Sequence, residues 1–247
     1  MIHYGFDTLV APRCTVVTIG SFDGVHSGHR VLLQHLKAMA QRLNAESVVV
    51  TFDPHPRIAM GRGEGMGLLT TIEERALLLE EAGIDHLVVA RFDEEFRKQH
   101  YADFVAKSLV EGLGMVGMIV GYNHRLGRGS EGNYETLLPL AQSLGFEIEC
   151  VSQQRIGEDK VSSTVVRNVM AEGDMARVAA LLGGGYVVAG CADNGVLAVE
   201  SKDKLLPPDG NYMVTIDGNA EPQRIVVEGR MIVLDGTISG DVIIRFK

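Results

Sequence analysis

The stretch Gly20-Ser-Phe-Asp-Gly-Val-His26-Ser-Gly28-His29 holds the residue types that a phosphate site needs. Gly20, Gly24 and Gly28 let backbone approach an anion closely, and the free N–H groups of a following helix would then face it. His26 and His29 are three apart, so both reach one ligand if they flank the first helical turn. An imidazole there hydrogen-bonds phosphate oxygens and, when protonated, adds charge. Two blander readings stay open. One is an H-x-x-H zinc pair, for which no third and fourth ligand stands nearby; the other is a pair of histidines that only cap a strand–helix turn. A second group is Ser163-Thr164 with Arg167, hydroxyls and a cation where a helical pattern starts; as an N-cap it needs no ligand. A third is Thr51-Phe-Asp53-Pro-His55-Pro56-Arg57, which taken alone reads as a turn.

Strands and helices must position these groups. Thr15–Ile19 reads as a buried strand, and the motif follows it directly. Leu32, Leu36, Met39 and Leu43 then recur at steps of four, three and four, one apolar stripe of a helix. Ser47–Phe52, Leu87–Ala90, Met115–Val120 and Phe146–Val151 read as further strands. Ile72–Ala82, Phe104–Leu113, Thr136–Leu144 and a segment from Ser163 through Val169 read as helices. Near-continuous apolar strands alternating with helices predict an α/β fold with a Rossmann-like, doubly wound parallel sheet. The motif would lie at the carboxyl end of a strand, where such sheets bind ligands.

The pattern changes after Leu182. Gly183-Gly184-Gly185 reads as a hinge, and beyond it no helical stripe appears. Six short runs, Tyr186–Val188, Gly195–Val199, Asn211–Ile216, Arg224–Val227, Met231–Leu234 and Asp241–Phe246, are separated by Asp-Gly, Asp-Asn-Gly and Pro-Pro-Asp-Gly turns. They predict a small C-terminal antiparallel β domain, sheet or barrel. The expected division is 1–183 and 184–247.

Composition narrows the function classes. The chain has 247 residues, 46% apolar and 22% charged, with a net charge of −9. This is a globular composition, and no apolar run approaches the ~20 residues of a membrane-spanning helix. The acidic balance argues against nucleic acid and leaves room for small phosphorylated ligands held by a few local cations. The start, MIHYGFDTLV, lacks the basic-then-apolar pattern of a secretory signal. Cys14, Cys150 and Cys191 are odd in number and far apart, so no disulfide framework is expected and the cytoplasm is the simplest setting.

The segment from Gly20 to His29, read as G-x-F-D-G-x-H-x-G-H after a strand, resembles the nucleotidyltransferase signature of prokaryotic FAD synthetases, the FMN adenylyltransferases often fused to riboflavin kinase. Thr51-Phe-Asp-Pro-His-Pro56 resembles the flavin-side loop of that family. Leu68-Leu-Thr-Thr-Ile-Glu-Glu-Arg75 resembles its L-L-T helix start, and Val161-Ser-Ser-Thr164 with Arg167 resembles its I-S-S-T-x-I-R motif. The resemblance covers residues 14–183 in order and spacing. Three positions depart from it: Gly121-Tyr-Asn123-His124-Arg-Leu126-Gly-Arg128 carries His124 and Leu126 where the family has aromatics, and Val165 replaces an arginine.

What the resemblance implies is adenylyl transfer from ATP to FMN, giving FAD and diphosphate. His26, His29 and Arg167 would be catalytic, with Gly20, Phe22, Gly24, Gly28, Ser163 and Thr164 around ATP. Asp53, His55, Pro56, Arg57, Asn123 and Arg128 would contact FMN. Mg²⁺ is expected on substrate phosphates, without a protein metal cage. Gly61–Gly67 reads as a flap over the flavin or a plain flexible loop, and Arg62 as a further FMN-phosphate candidate. Another phosphorylated acceptor, or a non-catalytic flavin- or nucleotide-binding regulatory paralogue, are the alternatives, and a homodimer is left open.

The C-terminal piece resembles a shortened riboflavin kinase barrel. Leu206-Pro-Pro-Asp-Gly-Asn-Tyr212-Met-Val resembles the kinase's L-P-x-G-V-Y-x-V, and Glu228 and Gly240 fall where that family has its catalytic glutamate and a later glycine. Cys191–Glu200 contains no Pro-Thr-Ala-Asn, the kinase's ATP segment, so riboflavin kinase activity is expected to be absent. A piece this short is expected to lean on other structure for a core.

Overall fold

The computed structural model describes residues 1–9, 14–63, 65–152, 155–156, 159–216, 221–234 and 236–247. By packing they form two units. Residues 1–22, 28–65 and 76–154 make the first, and 23–27, 66–75 and 155–247 make the second.

The first unit is built on a parallel sheet of β1 (Ile2–Tyr4), β2 (Thr15–Ile19), β3 (Glu46–Asp53), β4 (His86–Arg91), β5 (Met115–Gly121) and β6 (Glu147–Val151). Their order is β1-β4-β3-β2-β5-β6, and every pairing is parallel. The strand order turns at β2, whose neighbours are β3 and β5, so the segment after β2 leaves from the topological switch point. Every residue of β2 is buried, as the run Thr-Val-Val-Thr-Ile requires of a strand covered on both faces.

Helices along this part of the chain are α1 (Ser27–Leu43), α2 (Pro56–Ala59), α3 (Ile72–Glu81), α4 (Glu94–Lys98), α5 (Tyr101–Asp103), running on into a π-helical stretch (Phe104–Glu111), and α6 (Tyr134–Leu144). In α1 the buried residues are Leu33, Leu36, Met39 and Ala40. The stripe is therefore rotated from the expected one, with Leu32 and Leu43 half-buried at its edge. The core joins Val17, Val48, Val50 and Val88 of the strands to Phe104, Leu109, Leu137 and Ala141 of the helices.

The second unit holds a two-stranded ladder, β7 (Arg155–Ile156) with β8 (Asp159–Lys160), then α7 (Ser163–Ala171) and α8 (Met175–Leu182). A closed barrel follows, made of β9 (Tyr186–Asp193), β10 (Val196–Ala198), β11 (Gly210–Ile216), β12 (Gln223–Glu228), β13 (Met231–Val233) and β14 (Gly240–Phe246). It closes in the order β10-β13-β12-β11-β14-β9 with every pair antiparallel. Alternate residues Val242, Ile244 and Phe246 point into the core, the two-residue period of a half-buried strand. Val166, Met170, Val178, Leu181 and Leu182 of α7 and α8 belong to that same core.

The packing division thus differs from the compositional division at 183. The apolar stripes of α7 and α8 complete the barrel's core, and periodicity shows that a stripe exists without showing what it faces. The three glycines are a tight connection, not a loose hinge. Gly183 ends α8 in the left-handed region. Gly185 has φ +83, and a Cβ there would lie 2.6 Å from the Phe246 carbonyl oxygen. The Asp217-Gly218 turn and Asp235 lie outside the described residues.

Candidate active site

The motif residues are shared between the two units, and each group is built within its own. In the second unit the centre is Asp23, fully buried. Its Oδ1 accepts from the Thr70 amide at 2.9 Å and the Thr70 hydroxyl at 3.2 Å, and its Oδ2 from the Leu69 amide at 3.1 Å. Nη2 of Arg167 pairs with the same Oδ2, while its Nε donates to the Gly67 carbonyl at 2.7 Å. Arg75 stands 3.8 Å from Oδ1. The Gly24 amide donates to the Thr70 hydroxyl at 3.1 Å, and the Ser163 hydroxyl donates to the Asp23 carbonyl at 2.8 Å. The turn from Asp23 to His26 is thereby held through the Asp23 carboxylate and through both polar groups of the Asp23–Gly24 peptide.

That turn needs holding. Phe22 and Val25 have φ of +46 and +40, a conformation that costs on the order of 1–3 kcal/mol per non-glycine residue and clusters at functional sites. Gly24 has φ +82, and a Cβ on it would come within 2.8 Å of Leu69 Cδ1. His26 is buried, and that burial pushes its pKa down to about 4 against the opposing pull of Asp23. At neutral pH the imidazole is therefore uncharged and offers hydrogen bonding rather than positive charge.

The N-cap of α7 is Ser162, whose side chain accepts from the Val165 amide at 3.3 Å, and not Ser163 or Thr164. Those two are the first helical residues. Thr164 is exposed at the helix N-terminus, while the Ser163 hydroxyl is engaged with Asp23. Arg167 is likewise engaged with Asp23 and Gly67.

In the first unit, the Phe22 ring is buried; a Cβ on Gly20 would lie 3.2 Å from its Cε2. The ring packs against the His29 imidazole at 4.8 Å between centroids. Phe22 therefore fills the space beside Gly20 and His29, and His29, in the first turn of α1 with Gly28, is half-buried.

The residues expected around FMN differ in exposure. Asp53 and Arg57 are exposed, whereas buried His55 caps α2, its Nδ1 accepting from the Arg57 amide at 3.2 Å with Pro56 opening the helix. Ala59 of α2 lines a cleft of about 210 Å³ with Phe92, Asp93, Glu94 and Arg97. Asn123 and Arg128 are exposed, and Arg128 Nε lies 3.9 Å from Glu131. A larger cavity of about 670 Å³ near Phe6, Arg91 and Phe96 is lined by none of the expected residues. Among the described residues no cluster of three His, Cys, Asp or Glu could hold a metal.

Asp23, Thr70 and Arg75 lie inside the motifs that carry the resemblance, but nothing local in the sequence gives them a role. An acid between two glycines was the available signal, but its partners lie 46 or more residues away in the chain.

The FAD synthetase family model matches residues 10–165. Proteins described as bifunctional riboflavin kinase/FMN adenylyltransferases are similar along most of the chain. Those of Escherichia coli (strain K12) and Listeria monocytogenes are 33% and 30% identical, and the match covers 83% of this chain and 69% of each relative. One from Pseudomonas fluorescens is 32% identical with the same coverage. A solved Streptococcus pneumoniae structure described as a macrolide-efflux protein shares the fold, with a TM-score of 0.83 over 100% of this chain and 89% of its own at 20% identity. With a family match over more than half its length and relatives of this identity, the chain belongs to the FAD synthetase family and is a nucleotidyltransferase enzyme.

Proposed function

We propose that the protein is an FMN adenylyltransferase, converting ATP and FMN to FAD and diphosphate. The observation that carries this reading is the strained, carboxylate-pinned turn from Asp23 to His26, which follows the switch-point strand β2 and precedes the α1 N-terminus. A phosphate oxygen of FMN attacks the α-phosphorus of ATP, a new P–O bond forms, and the bond to the β-phosphate oxygen breaks with release of diphosphate. The nucleophile is already an anion, so orientation and charge stabilisation are the enzyme's work.

Neutral His26 is proposed to donate a hydrogen bond to a nucleotide phosphate, and His29, propped by Phe22, is a proposed phosphate contact of its own. Thr164 and the α7 N-terminus receive the leaving diphosphate. Gly20, Gly24 and Gly28 keep side chains away from the nucleotide. Asp53, His55, Pro56, Arg57, Asn123 and Arg128 are the proposed flavin-side contacts. The donors here are imidazoles, a hydroxyl and backbone amides, and Asp23 is already committed. That set suits phosphate oxygens, with Mg²⁺ carried mainly by the substrates and supplying charge neutralisation when bound.

The protein is proposed to work in the cytoplasm; among the described residues no helix is long and apolar enough to cross a membrane. Riboflavin kinase activity is proposed to be absent: Glu228 is exposed at the end of β12, and the chain has no Pro-Thr-Ala-Asn segment.

Incubating the protein with ATP, Mg²⁺ and FMN should give FAD and diphosphate in equal amounts, and riboflavin should give no FMN. His29→Ala should cut turnover by about tenfold or more; unchanged turnover sinks that assignment. A second reading has one observation in its favour: among the described residues, Nε2 of His124 is buried without a hydrogen-bond partner, at a position where the resemblance implies an aromatic. Turnover with another phosphorylated acceptor and none with FMN would select it, while flavin or ATP binding without turnover would mark a regulatory protein.

A further inference from the structure

Lys204 is fully buried in the second unit, in the segment between β10 and β11. Its Nζ donates to the Glu74 carboxylate at 2.6 Å, the Leu69 carbonyl at 2.8 Å and the Val187 carbonyl at 2.7 Å, and lies 4.3 Å from the Tyr186 ring centroid. All three protons of the ammonium are thus used. The backbone around it is tied to the same place. Leu68 and Lys204 form a parallel bridge, with the Leu68 amide donating to Asp203 at 2.6 Å and the Leu205 amide to Leu68 at 2.8 Å. Arg230, in the turn between β12 and β13, donates to the Lys204 carbonyl at 2.8 Å.

Glu74 closes the arrangement. Oε2 also accepts from the Thr71 amide at 2.9 Å, and the Thr71 hydroxyl accepts from the Glu74 amide at 3.2 Å, a capping box that starts α3. Oε1 accepts from the Ala189 amide of β9 at 2.9 Å. The peptide units on either side of Leu69 are therefore gripped from both directions: the Leu69 carbonyl by Lys204, and the Leu69 and Thr70 amides by Asp23.

We propose that Lys204 is a positioning residue for adenylyl transfer, fixing the Leu69–Thr70 backbone on which the Asp23 carboxylate, and so the turn from Asp23 to His26, is seated. The barrel then has a use that needs no kinase chemistry: it supplies the anchor for a loop of the transferase site. The inference rests on the reading that His26 and its turn bind nucleotide phosphates.

Lys204→Met alone leaves Glu74 buried and uncompensated and is expected to lower stability sharply. The informative variant is Lys204→Met with Glu74→Gln, a neutral pair of similar volume that leaves no buried charge uncompensated and loses one backbone hydrogen bond, from Thr71 or Ala189, to the new NH₂ group. Folding is checked by circular dichroism and the urea midpoint. FAD formation is followed against ATP and FMN separately, and calorimetry measures binding of a non-hydrolysable ATP analogue. The expected result is a folded double variant whose turnover falls about tenfold or more, with analogue binding weakened about tenfold and KM for FMN within twofold. Met213→Ser, an exposed barrel position, should leave all of these unchanged. A folded double variant with wild-type turnover and wild-type analogue binding overturns the proposal. Uniform loss in which KM for FMN rises as much as analogue binding weakens also overturns it, since that is a general structural effect. If the wild type makes no FAD yet binds the analogue, the function proposed above fails while analogue binding still decides the role of Lys204. If it binds no analogue, both fail.

Discussion

Replacing Asp23 with asparagine keeps the shape of the side chain and removes its charge. In the native protein both oxygens only accept: Oδ1 from the amide and hydroxyl of Thr70, Oδ2 from the Leu69 amide and Arg167. An asparagine has one acceptor oxygen and an NH₂ group, so in either orientation the NH₂ confronts a backbone donor. One buried amide then loses its partner, at a cost of about 1–3 kcal/mol. Arg167 and Arg75, 13% and 2% exposed, lose the carboxylate beside them, and removing one member of a buried pair costs about 3–5 kcal/mol. These terms overlap, so the expected loss is about 3–5 kcal/mol, a large share of the ~5–15 kcal/mol of a typical domain. Urea unfolding should show the midpoint falling accordingly with little change in slope, and FAD formation should be lost at temperatures where the variant is still folded. Adding Arg167→Met should recover part of the stability, because it removes an unpaired cation. A loss under about 1 kcal/mol with full turnover, or strictly additive losses in the double variant, would refute the claim that Asp23 organises this turn.

Other expectations follow from the same geometry. His26, with a pKa pushed down to about 4, refuses a proton that the unfolded chain accepts near 6.5. Stability should thus fall as pH drops from about 6.5 toward 4, by on the order of 3 kcal/mol for this group, and His26→Gln should flatten that part of the pH profile; an unchanged profile refutes it. Gly24→Ala should cost at least about 1–3 kcal/mol and most of the activity, since φ is +82 and the new methyl meets Leu69 Cδ1 at 2.8 Å; a variant as stable and active as wild type would show that the turn is not constrained there. His124→Phe removes a buried, unpartnered nitrogen whose burial and neighbour Arg125 depress its pKa to about 4. It should raise Tm by about 2–4 °C, and a lower Tm by calorimetry would count against it.

The residues alone determined what is local. Apolar runs punctuated by glycine and Asp-Gly located the strands of the barrel and all strands of the parallel sheet except the short edge strand β1, because periods of 2 and 3.6 are written directly in side-chain order. The clustered glycines and histidines of residues 20–29 were legible for the same reason, as was the helix read over Thr136–Leu144, which starts two residues earlier at Tyr134 behind its cap Asn133. Tertiary structure decided what the spacing leaves free. It turned the α1 stripe toward Leu33 and Ala40, gave α7 and α8 to the barrel's core, and moved the α7 cap to Ser162. It also joined Asp23 to Thr70 and Arg167, 47 and 144 residues away, and Lys204 to Glu74, 130 residues away. A charge in a sequence carries no mark of burial. Whether it is solvated or held in a dry network depends on which distant backbone closes over it, and that is settled only when the whole chain packs.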